Sequence, residues 1–464
     1  MSITYSVIAV SIMIIVIVVV LLIRKSMWKN KLEHYADQGK TSFVHPTTVN
    51  TKKELEGMSK LLEDTSLPAV KKQAIIDLRD KFAIPDLAVK PKAVPEIRVG
   101  YNPAPHDLEK MSKADQEKWK ARSAQEKLDI EKGIVGGHEH FTGDGERCYK
   151  HAITYCLTKD KKFADKVVEI LDAWATTCKK FGLINENGPL ECGWGLCSMS
   201  MAAEIVYSMV PNETSKTRFI NFVKSVLLPQ FKAAQNPDGL WKANNFISKG
   251  NWGSTILQAQ LQFAIFSNDV ALFETSVKNA KTIIENLLIS ETGQEVETLR
   301  DIVHAQFGLA GLTGICELLW HHNIDIYSSM NNRLAKSYEY HASILLGEVP
   351  EDIKGQKLNW VGFNPANWEI VYNHFVNRKA MQMPKSKAIL EKKRPESFGF
   401  HWGLGTITHF TAPKNSPAAP VVKAPETKQA MPVAVPKAPE IVSKVPQAAA
   451  DHSNVQYKCS CEAI

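Results

Sequence analysis

Helical periodicity dominates this chain from about residue 105 to residue 409, and strand-like alternation is nearly absent there. Two stretches place apolar side chains on one face of a helix: Phe163, Val167, Ile170, Leu171 and Trp174, then Phe273, Val277, Ala280, Ile284 and Leu287. Further helical stretches follow with short links between them. Consecutive helix pairs of this kind bury their apolar faces in a solenoid or in an α/α toroid. We therefore predict an all-α fold, and because no sequence repeat is visible, the pattern favours a toroid over a standard repeat solenoid.

The N-terminus carries a separate apolar segment. Residues 3–23 contain no charged side chain and are long enough to cross a hydrocarbon core of about 30 Å, which predicts a transmembrane helix within residues 1–25. Four basic side chains follow directly: Arg24, Lys25, Lys29 and Lys31. By the positive-inside rule this cluster predicts that the main domain faces the cytoplasm, or the interior of a virion or organelle.

The regions on either side of the helical part differ from it in composition. Residues 26–95 are rich in lysine and glutamate and end in spaced prolines, which predicts a charged stalk and a proline-rich approach. Residues 411–464 mix proline with alanine, valine and lysine, which predicts a disordered tail. We therefore expect the globular domain over residues 96–410.

Charge and cysteine content argue against several classes of protein. The formal net charge of +7 lies largely just after the apolar segment and in the tail, and no nucleic-acid-binding motif accompanies it, so we expect no nucleic-acid partner. Eight scattered cysteines indicate buried thiols rather than a disulfide framework. His138-Glu139-His140 has a spacing that suits a metal, but further ligands would be needed. We predict neither a metal nor a cofactor.

Three short segments hold polar side chains that could carry chemistry. Asn251 follows a glycine at the start of a predicted helix, where asparagine is most often a cap. Arg300 and His304 stand four residues apart, which would place both on one face of a helix. The third segment crowds polar groups among aromatic side chains: Tyr372, Asn373, His374 and Arg378. Such density is unusual for a plain core, because buried polar groups need partners.

Together these segments resemble the alginate-lyase-like domain of the α/α-toroid polysaccharide lyases. The motifs that carry the resemblance include Gly250-Asn-Trp, Glu297-x-x-Arg-Asp-x-x-His-x-Gln and Trp368-Glu-Ile-x-Tyr-Asn-His-x-x-Asn-Arg. They cover roughly residues 101–409. The resemblance implies an incomplete α/α barrel that acts by β-elimination on an acidic, uronate-containing polysaccharide of the alginate or glucuronan type.

The reaction that the resemblance implies assigns roles to these side chains. β-Elimination needs a group that neutralises the carboxylate beside the acidic proton, a base that removes this proton, and an acid for the departing oxygen. Asn251 and Arg300 would neutralise the carboxylate, while His304, Tyr372 and His374 would transfer protons. The side chains expected to bind the sugar are Trp252, Trp368, Asn373 and Arg378.

The sequence departs from the family pattern at three positions. In the well-studied branch, histidine follows the helix-start asparagine and a catalytic tyrosine stands seven residues after the arginine; this chain has Trp252 and Phe307 there. Met201 replaces an arginine expected in a related branch. These departures leave open a catalytically inactive glycan-binding or scaffold protein. A glycoside hydrolase on the same toroid also remains open, with candidate carboxylates at Glu297, Asp301, Glu317 and Glu369.

Overall fold

The protein is almost entirely helical in the part of the chain that the structure describes. The computed structural model describes residues 43–98, 111–132, 135–182, 188–235, 250–359, 361–363, 366–397 and 399–411. Within these ranges one small parallel sheet joins β1 (Glu96–Ile97) to β2 (Lys180–Phe181). The all-α prediction is confirmed. The predicted transmembrane segment, residues 3–23, and nearly all of the predicted tail lie outside the described residues.

Sixteen α-helices follow one another along the described ranges. In chain order they are α1 (Lys52–Gly57), α2 (Ala69–Ile76), α3 (Ile84–Asp86), α4 (Lys113–Glu131), α5 (His138–Thr158), α6 (Lys161–Thr177), α7 (Gly188–Met209), α8 (Glu213–Phe222), α9 (Leu228–Gln235), α10 (Asn251–Ser267), α11 (Val270–Leu287), α12 (Ile302–His321), α13 (Ser329–Leu345), α14 (Trp368–Tyr372), α15 (Pro384–Lys393) and α16 (Gly405–Thr408). Short 3₁₀ or π turns occupy Met58–Leu62, Asp77–Ala83, Val223–Leu227, Glu351–Ile353 and Asn373–Arg378.

Four long helices form the inner wall of the toroid. Helices α5, α7, α10 and α12 pack side by side in that order, and α7, α10 and α12 are buried on nearly every side. Glycines permit this close packing, since a Cβ atom on Gly193 would lie 3.1 Å from Thr255 Cγ2, and one on Gly311 would lie 2.6 Å from Ser254 Oγ. The inner helices therefore bring their first turns together at one end of the ring.

The outer helices bury a single face, as the periodicity predicts. The apolar sets predicted for α6 and α11 are buried in both helices. Asp269 caps α11 by accepting a hydrogen bond from the backbone N–H of Leu272, at 3.1 Å. The six cysteines in the described ranges are buried and form no disulfide, which confirms the expectation of buried thiols.

The described part of the segment expected to be a stalk, residues 43–95, is instead packed into the domain. Residues 43–50, here called the N-terminal strap, cross the C-terminal ends of α7, α10 and α12. Thr47 N–H donates to Glu204 Oε1 at 2.7 Å, and Gln262 Nε2 donates to the carbonyl oxygen of Thr47 at 3.2 Å. The ring of His321 contacts the carbonyl oxygen of Thr48 at 3.0 Å. The stalk interpretation fails here because short buried segments without periodicity leave no mark in the sequence.

The residues after the strap complete the ring. Helix α2 packs on α16, α16 packs on α14, and the turn Asp77–Ala83 packs on α5. Asp86 pairs with Arg147 of α5, with Nε 2.9 Å from Oδ1. These contacts fill the gap between the first inner helix and the last.

One helix in the described ranges, Ile302–His321, is long and apolar enough to cross a membrane. Of its most apolar stretch, 94% is buried inside the protein, as in the core helix of a globular domain.

Candidate active site

The first turn of α10 places a buried asparagine against Glu297, in the segment that precedes α12. Gly250 has φ of +75°, and a Cβ atom there would lie 2.8 Å from Glu297 Oε2, so both the backbone conformation and the available space require glycine. Gly250, not Asn251, is the N-cap, which corrects the expectation of an asparagine cap. Asn251 instead donates to Glu297 Oε2 from its backbone N–H at 2.7 Å and from Nδ2 at 2.9 Å.

Glu297 also holds the arginine. Arg300 Nη1 donates to Glu297 Oε1 at 2.7 Å, so one carboxylate joins Asn251 and Arg300. Arg300 does not share a helix face with His304, because α12 begins at Ile302 and Asp301 is its N-cap. The four-residue spacing of Arg300 and His304 is misleading, because Arg300 lies in the turn before α12 and only His304 lies in the helix.

His304 is oriented by Asp301 at the start of α12. Asp301 Oδ1 accepts the backbone N–H of His304 at 2.8 Å, while Oδ2 makes a short contact with His304 Nδ1. Burial opposes ionisation of Asp301, but the hydrogen bond and charge of His304 hold the pKa of this carboxyl below its ordinary value. The pair fixes the ring plane and directs Nε2 away from Asp301, as required of a base that meets a substrate.

Aromatic side chains fill the ring beside these polar groups. Phe307 lies edge-on to His304, with ring centroids 5.5 Å apart, and 5.9 Å from Trp194. Trp194 stacks on Phe400 at 4.6 Å. Phe400 lies in a segment that crosses the ring interior, where Trp402 Nε1 donates to Gln258 Oε1 at 3.1 Å. With Trp252, the cluster consists of Trp194, Trp252, Phe307, Phe400 and Trp402, the aromatic cluster of the site.

The predicted residues His374 and Arg378 lie elsewhere. Arg378 pairs with both oxygens of Glu317, at 2.7 and 3.0 Å, and Tyr327 donates to the same carboxylate at 2.7 Å. His374 is fully buried and stacks on Tyr327 with ring centroids 3.7 Å apart. Glu317 is thirteen residues after His304 on one helix, which is about 20 Å at 1.5 Å per residue. The structure therefore does not bring these residues together with Asn251, Arg300 and His304.

The pKa shifts of His374 and Glu317 indicate that these residues belong to a structural cluster. Burial lowers the pKa of His374 to about 4, so the ring is neutral. Burial opposes ionisation of Glu317 as well, but hydrogen bonds from His321 and His409 hold its pKa well below the ordinary range.

The other residues expected to act on substrate belong to the packing of the domain. Trp368 is buried in the second apolar core, edge-on to Tyr338 at 4.9 Å. Asn373 Nδ2 donates to the carbonyl oxygen of His409 at 2.7 Å. Tyr372 is half-buried, and burial raises the pKa of its hydroxyl. Of the predicted set, Asn251, Trp252, Arg300 and His304 lie together.

The four candidate carboxylates of a glycoside hydrolase also do not lie together: two are at the site and two are elsewhere. Glu297 and Asp301 lie at the site, each already bonded to Arg300 or His304. Glu317 belongs to the Arg378 cluster, and Glu369 pairs with Arg394. The sequence predicted Glu297 and Asp301 only as candidate carboxylates of a glycoside hydrolase. Their positions three residues before Arg300 and His304 were the available signal for positioning residues.

Metal-binding clusters are not found in the described ranges. No group of three or more histidine, cysteine, aspartate or glutamate side chains there is arranged to hold a metal ion. His138 and His140 both approach Glu139, with Nδ1 to carboxylate distances of 3.7 and 3.5 Å.

Comparison with known proteins gives one consistent family. The alginate lyase family model matches residues 101–350. Alginate lyase A1-III from Sphingomonas species A1 aligns with a TM-score of 0.54 and 14% identity, covering 80% of this chain and 98% of that one. A variant of A1-III complexed with a tetrasaccharide aligns at 0.55 and 14%, covering 81% and 99%. An alginate lyase from Bacteroides ovatus aligns at 0.54 and 13%, covering 79% and 99%. A search of curated proteins found no match.

The structural likeness at these identities shows a shared fold, namely the α/α toroid. The family match is the stronger finding, because it spans more than half of the 464 residues. The chain therefore belongs to the alginate lyase family.

Proposed function

We propose that this protein is a membrane-tethered polysaccharide lyase that cleaves a uronate-containing acidic glycan by β-elimination. The observation that carries the proposal is the arrangement at the first turns of α10 and α12. Glu297 holds Asn251 and Arg300 together, and the Asp301–His304 pair stands in the next turn. Membership of the alginate lyase family supports the same reaction class.

Each residue has a defined task in this proposal. Arg300 and the Asn251 amide are held in place before the substrate binds, so they can stabilise negative charge on the uronate carboxylate as the C5 proton leaves. His304 removes that proton through Nε2, and Asp301 stabilises the resulting imidazolium. The electron pair of the C5–H bond forms the C4–C5 double bond as the C4–O bond breaks, and the departing glycosidic oxygen takes its proton from the His304 imidazolium. Trp252 and the rest of the aromatic cluster border the sugar.

Substitution of the two charged site residues tests the proposal. We expect Arg300→Ala and His304→Phe each to lower lyase turnover by about two orders of magnitude or more with helix content unchanged, because each removes a preorganised polar group. Turnover is followed by the ultraviolet absorbance of the unsaturated uronate. Arg218→Ala, on the outer helix α8, is the matched control. Wild-type rates in both site variants would refute the assignment.

An inactive glycan-binding protein is the second candidate. Phe307 favours it, because a side chain without a titratable group stands where the family's catalytic tyrosine is expected. Binding of acidic oligosaccharides without formation of unsaturated product would identify this case.

The membrane tether is the remaining part of the proposal. The apolar residues 3–23, followed by four basic side chains, support a single span with the domain facing the cytoplasm or the interior of a virion or organelle. Protection of a C-terminal tag from protease in sealed right-side-out vesicles would support this orientation. Digestion of the tag would indicate the opposite orientation.

A further inference from the structure

A second carboxyl group, which the proposed reaction does not use, lies directly behind Glu297. Glu295 is fully buried, and its Oε2 atom accepts the backbone N–H of Glu297 at 2.5 Å. Its other oxygen, Oε1, has no hydrogen-bond partner among the described residues. A Cβ atom on Gly308 of α12 would lie 2.9 Å from Oε1 and 3.6 Å from the backbone nitrogen of Asn251. The Glu295 carboxyl group therefore borders α12, the start of α10 and the turn that carries Glu297.

The backbone of Glu295 is held from the opposite side by a chain of buried hydrogen bonds. Nδ1 of His341 on α13 lies 2.8 Å from the carbonyl oxygen of Ser337, and because a carbonyl oxygen only accepts, Nδ1 donates. Burial lowers the pKa of His341 to about 4, so the ring is neutral and its Nε2 atom accepts. The Thr298 hydroxyl donates to Nε2 at 3.1 Å and accepts the backbone N–H of Glu295 at 3.0 Å. The position of Glu295 is thus fixed from α13 as well as from the inner helices.

The surroundings of Glu295 favour a neutral carboxyl group. A buried carboxylate needs hydrogen-bond donors at both oxygens, whereas Oε2 has one donor and Oε1 has none within the part of the chain described. Burial raises the pKa of Glu295 well above its ordinary value, and the charges of Glu297 and Asp301 add to the rise. The backbone N–H of Glu297 and the charge of Arg300 oppose it. On the α13 side the neutral ring of His341 adds no charge. Glu297 is then the ionised carboxylate beside Arg300, and Glu295 is its neutral support.

We propose that Glu295 is a positioning residue of the lyase site, which acts through Glu297 on Arg300 and Asn251. The inference rests on the proposed lyase function. Through the N–H of Glu297, neutral Glu295 fixes the turn from which the Glu297 carboxylate reaches its two partners. It also keeps a second negative charge away from the place where the uronate carboxylate binds, since such a charge would hold Arg300 more strongly and repel the substrate. Removal of the acceptor oxygen, or ionisation of Glu295, should therefore impair turnover.

A matched pair of glutamates on the α14 and α16 side of the ring provides the control. Glu396 is buried, accepts the backbone N–H of Glu369 at 2.9 Å, and has an Oε2 atom without a partner in the described ranges. Glu369 pairs with Arg394 as Glu297 pairs with Arg300. Burial raises the pKa of Glu396 as it does that of Glu295. Substitution of Glu396 therefore measures the cost of disturbing such a pair outside the proposed catalytic residues.

The test compares substitutions of Glu295 and Glu396 in the full chain, with alginate and glucuronan as substrates. Glutamine keeps the acceptor oxygen and donates where a protonated carboxyl group would donate, whereas leucine removes both groups. We expect Glu295→Leu to lower kcat about tenfold or more, and Glu295→Gln to recover most of this loss. Glu396→Leu should lower the melting temperature about as much as Glu295→Leu does, yet keep kcat within about twofold of wild type. A merely structural role would predict similar kcat values for the two leucine variants.

The dependence on pH tests the neutral state of Glu295. The folded carboxyl group keeps its proton above the unfolded pKa of about 4.3, so it lowers the stability of the wild type as the pH rises from there to the folded pKa. The unfolding free energy of Glu295→Gln relative to wild type should therefore increase over this window. Wild-type kcat/KM should also fall relative to that of Glu295→Gln as the pH rises through the folded pKa. If leucine prevents folding at position 295, this second comparison decides the inference, and parallel pH profiles overturn it.

The outcomes separate the inference from the proposed function. Equal loss of kcat in the two leucine variants, or as large a loss in Glu295→Gln as in Glu295→Leu, would overturn the inference and leave the lyase function standing. If the wild type cleaves neither polymer, the lyase function fails, and calorimetric binding of alginate and glucuronan hexasaccharides decides the inference. An affinity about tenfold weaker in Glu295→Leu that glutamine restores supports it. Equal affinity in all variants, or no binding by the wild type, overturns it.

Discussion

Glu297 is the residue that organises the candidate site. Its two oxygens engage Asn251 and Arg300, although these residues are 49 positions apart in the sequence. The fixed geometry matters for catalysis, because donors that are already in place need not reorganise when charge develops. Asp301 holds His304 in place in the same way, through contacts with its backbone N–H and its Nδ1 atom. Two carboxylates therefore hold an arginine, an asparagine and a histidine in one small volume.

Substitution of Asp301 separates its two tasks. Asp301→Asn should lower turnover by about two orders of magnitude or more, because the amide no longer stabilises the imidazolium of His304. Its stability should stay near wild type, since asparagine caps helices as well as aspartate does. Asp301→Ala should lose about 1 kcal/mol of unfolding free energy in addition. Kinetics and denaturant unfolding measure the two effects. Unchanged turnover in Asp301→Asn would remove the pair from the mechanism.

The sequence was informative about half of this site. Asn251, Arg300 and His304 could be chosen because their spacing and neighbours resemble a family motif. Tyr372 and His374 were predicted from a motif of the same family and from the local density of polar side chains. Neither signal can show that α12 separates His374 from His304 by most of its length.

The N-terminal strap is the element that most changes the expected architecture. His45 Nδ1 lies 2.8 Å from Glu204 Oε1, and His45 Nε2 lies 3.0 Å from Asn268 Oδ1. Two acceptors on one ring favour the protonated form, in which both nitrogens donate. The hydrogen bond to Glu204 raises the pKa of His45, although partial burial opposes it. The strap is thus tied to α7 through a histidine whose protonated form these contacts favour.

The raised pKa predicts how the stability contributed by His45 depends on pH. The contribution is fully present below the unfolded pKa of about 6.5 and is lost as the pH rises through the higher folded value. His45→Gln should therefore cost more unfolding free energy at about pH 6 than at about pH 8.5. Denaturant unfolding at both pH values measures this difference in cost. Glu204→Gln, which removes the charged partner of His45, should likewise cost more unfolding free energy at about pH 6 than at about pH 8.5. An equal cost at both pH values would contradict the contact.

Regular elements were predictable where a helix is half-exposed. The apolar faces of α6 and α11 follow directly from the spacing of Phe163 to Trp174 and of Phe273 to Leu287. The spacing of Arg300 and His304 predicted one helix through both residues, whereas α12 begins only after Asp301, whose side chain caps it. The strap could not be foreseen, since its burial depends on contacts more than 150 residues away in the sequence.

At the scale of the whole molecule, the domain begins well before residue 96, where the composition predicts its start. Leu55, Met58, Ile75 and Leu78 belong to the same apolar core as α5 and α7. Each buried aliphatic side chain contributes about 1.5–3 kcal/mol, and loss of Asp86 would remove one partner of the ion pair to Arg147, at about 3–5 kcal/mol. For the four side chains and the ion pair these losses amount to about 9–17 kcal/mol, which is as large as the net stability of about 5–15 kcal/mol that is typical of a domain.

Two fragments test this boundary. Residues 43–411 should unfold in a single cooperative transition, whereas residues 92–411 should be unfolded or aggregate at the same temperature. Circular dichroism and thermal unfolding compare them. A fragment 92–411 as stable as 43–411 would show that the first part of the chain is dispensable.

The reaction itself is tested most directly by the product formed in ¹⁸O-labelled water. β-Elimination adds no solvent oxygen and leaves a double bond, whereas hydrolysis places one solvent oxygen in the product. We predict that the full chain converts an acidic uronate polymer to unlabelled oligosaccharides, each one water lighter than a hydrolysis product, and that His304→Phe slows their formation. Labelled, saturated oligosaccharides from the wild type would contradict the account.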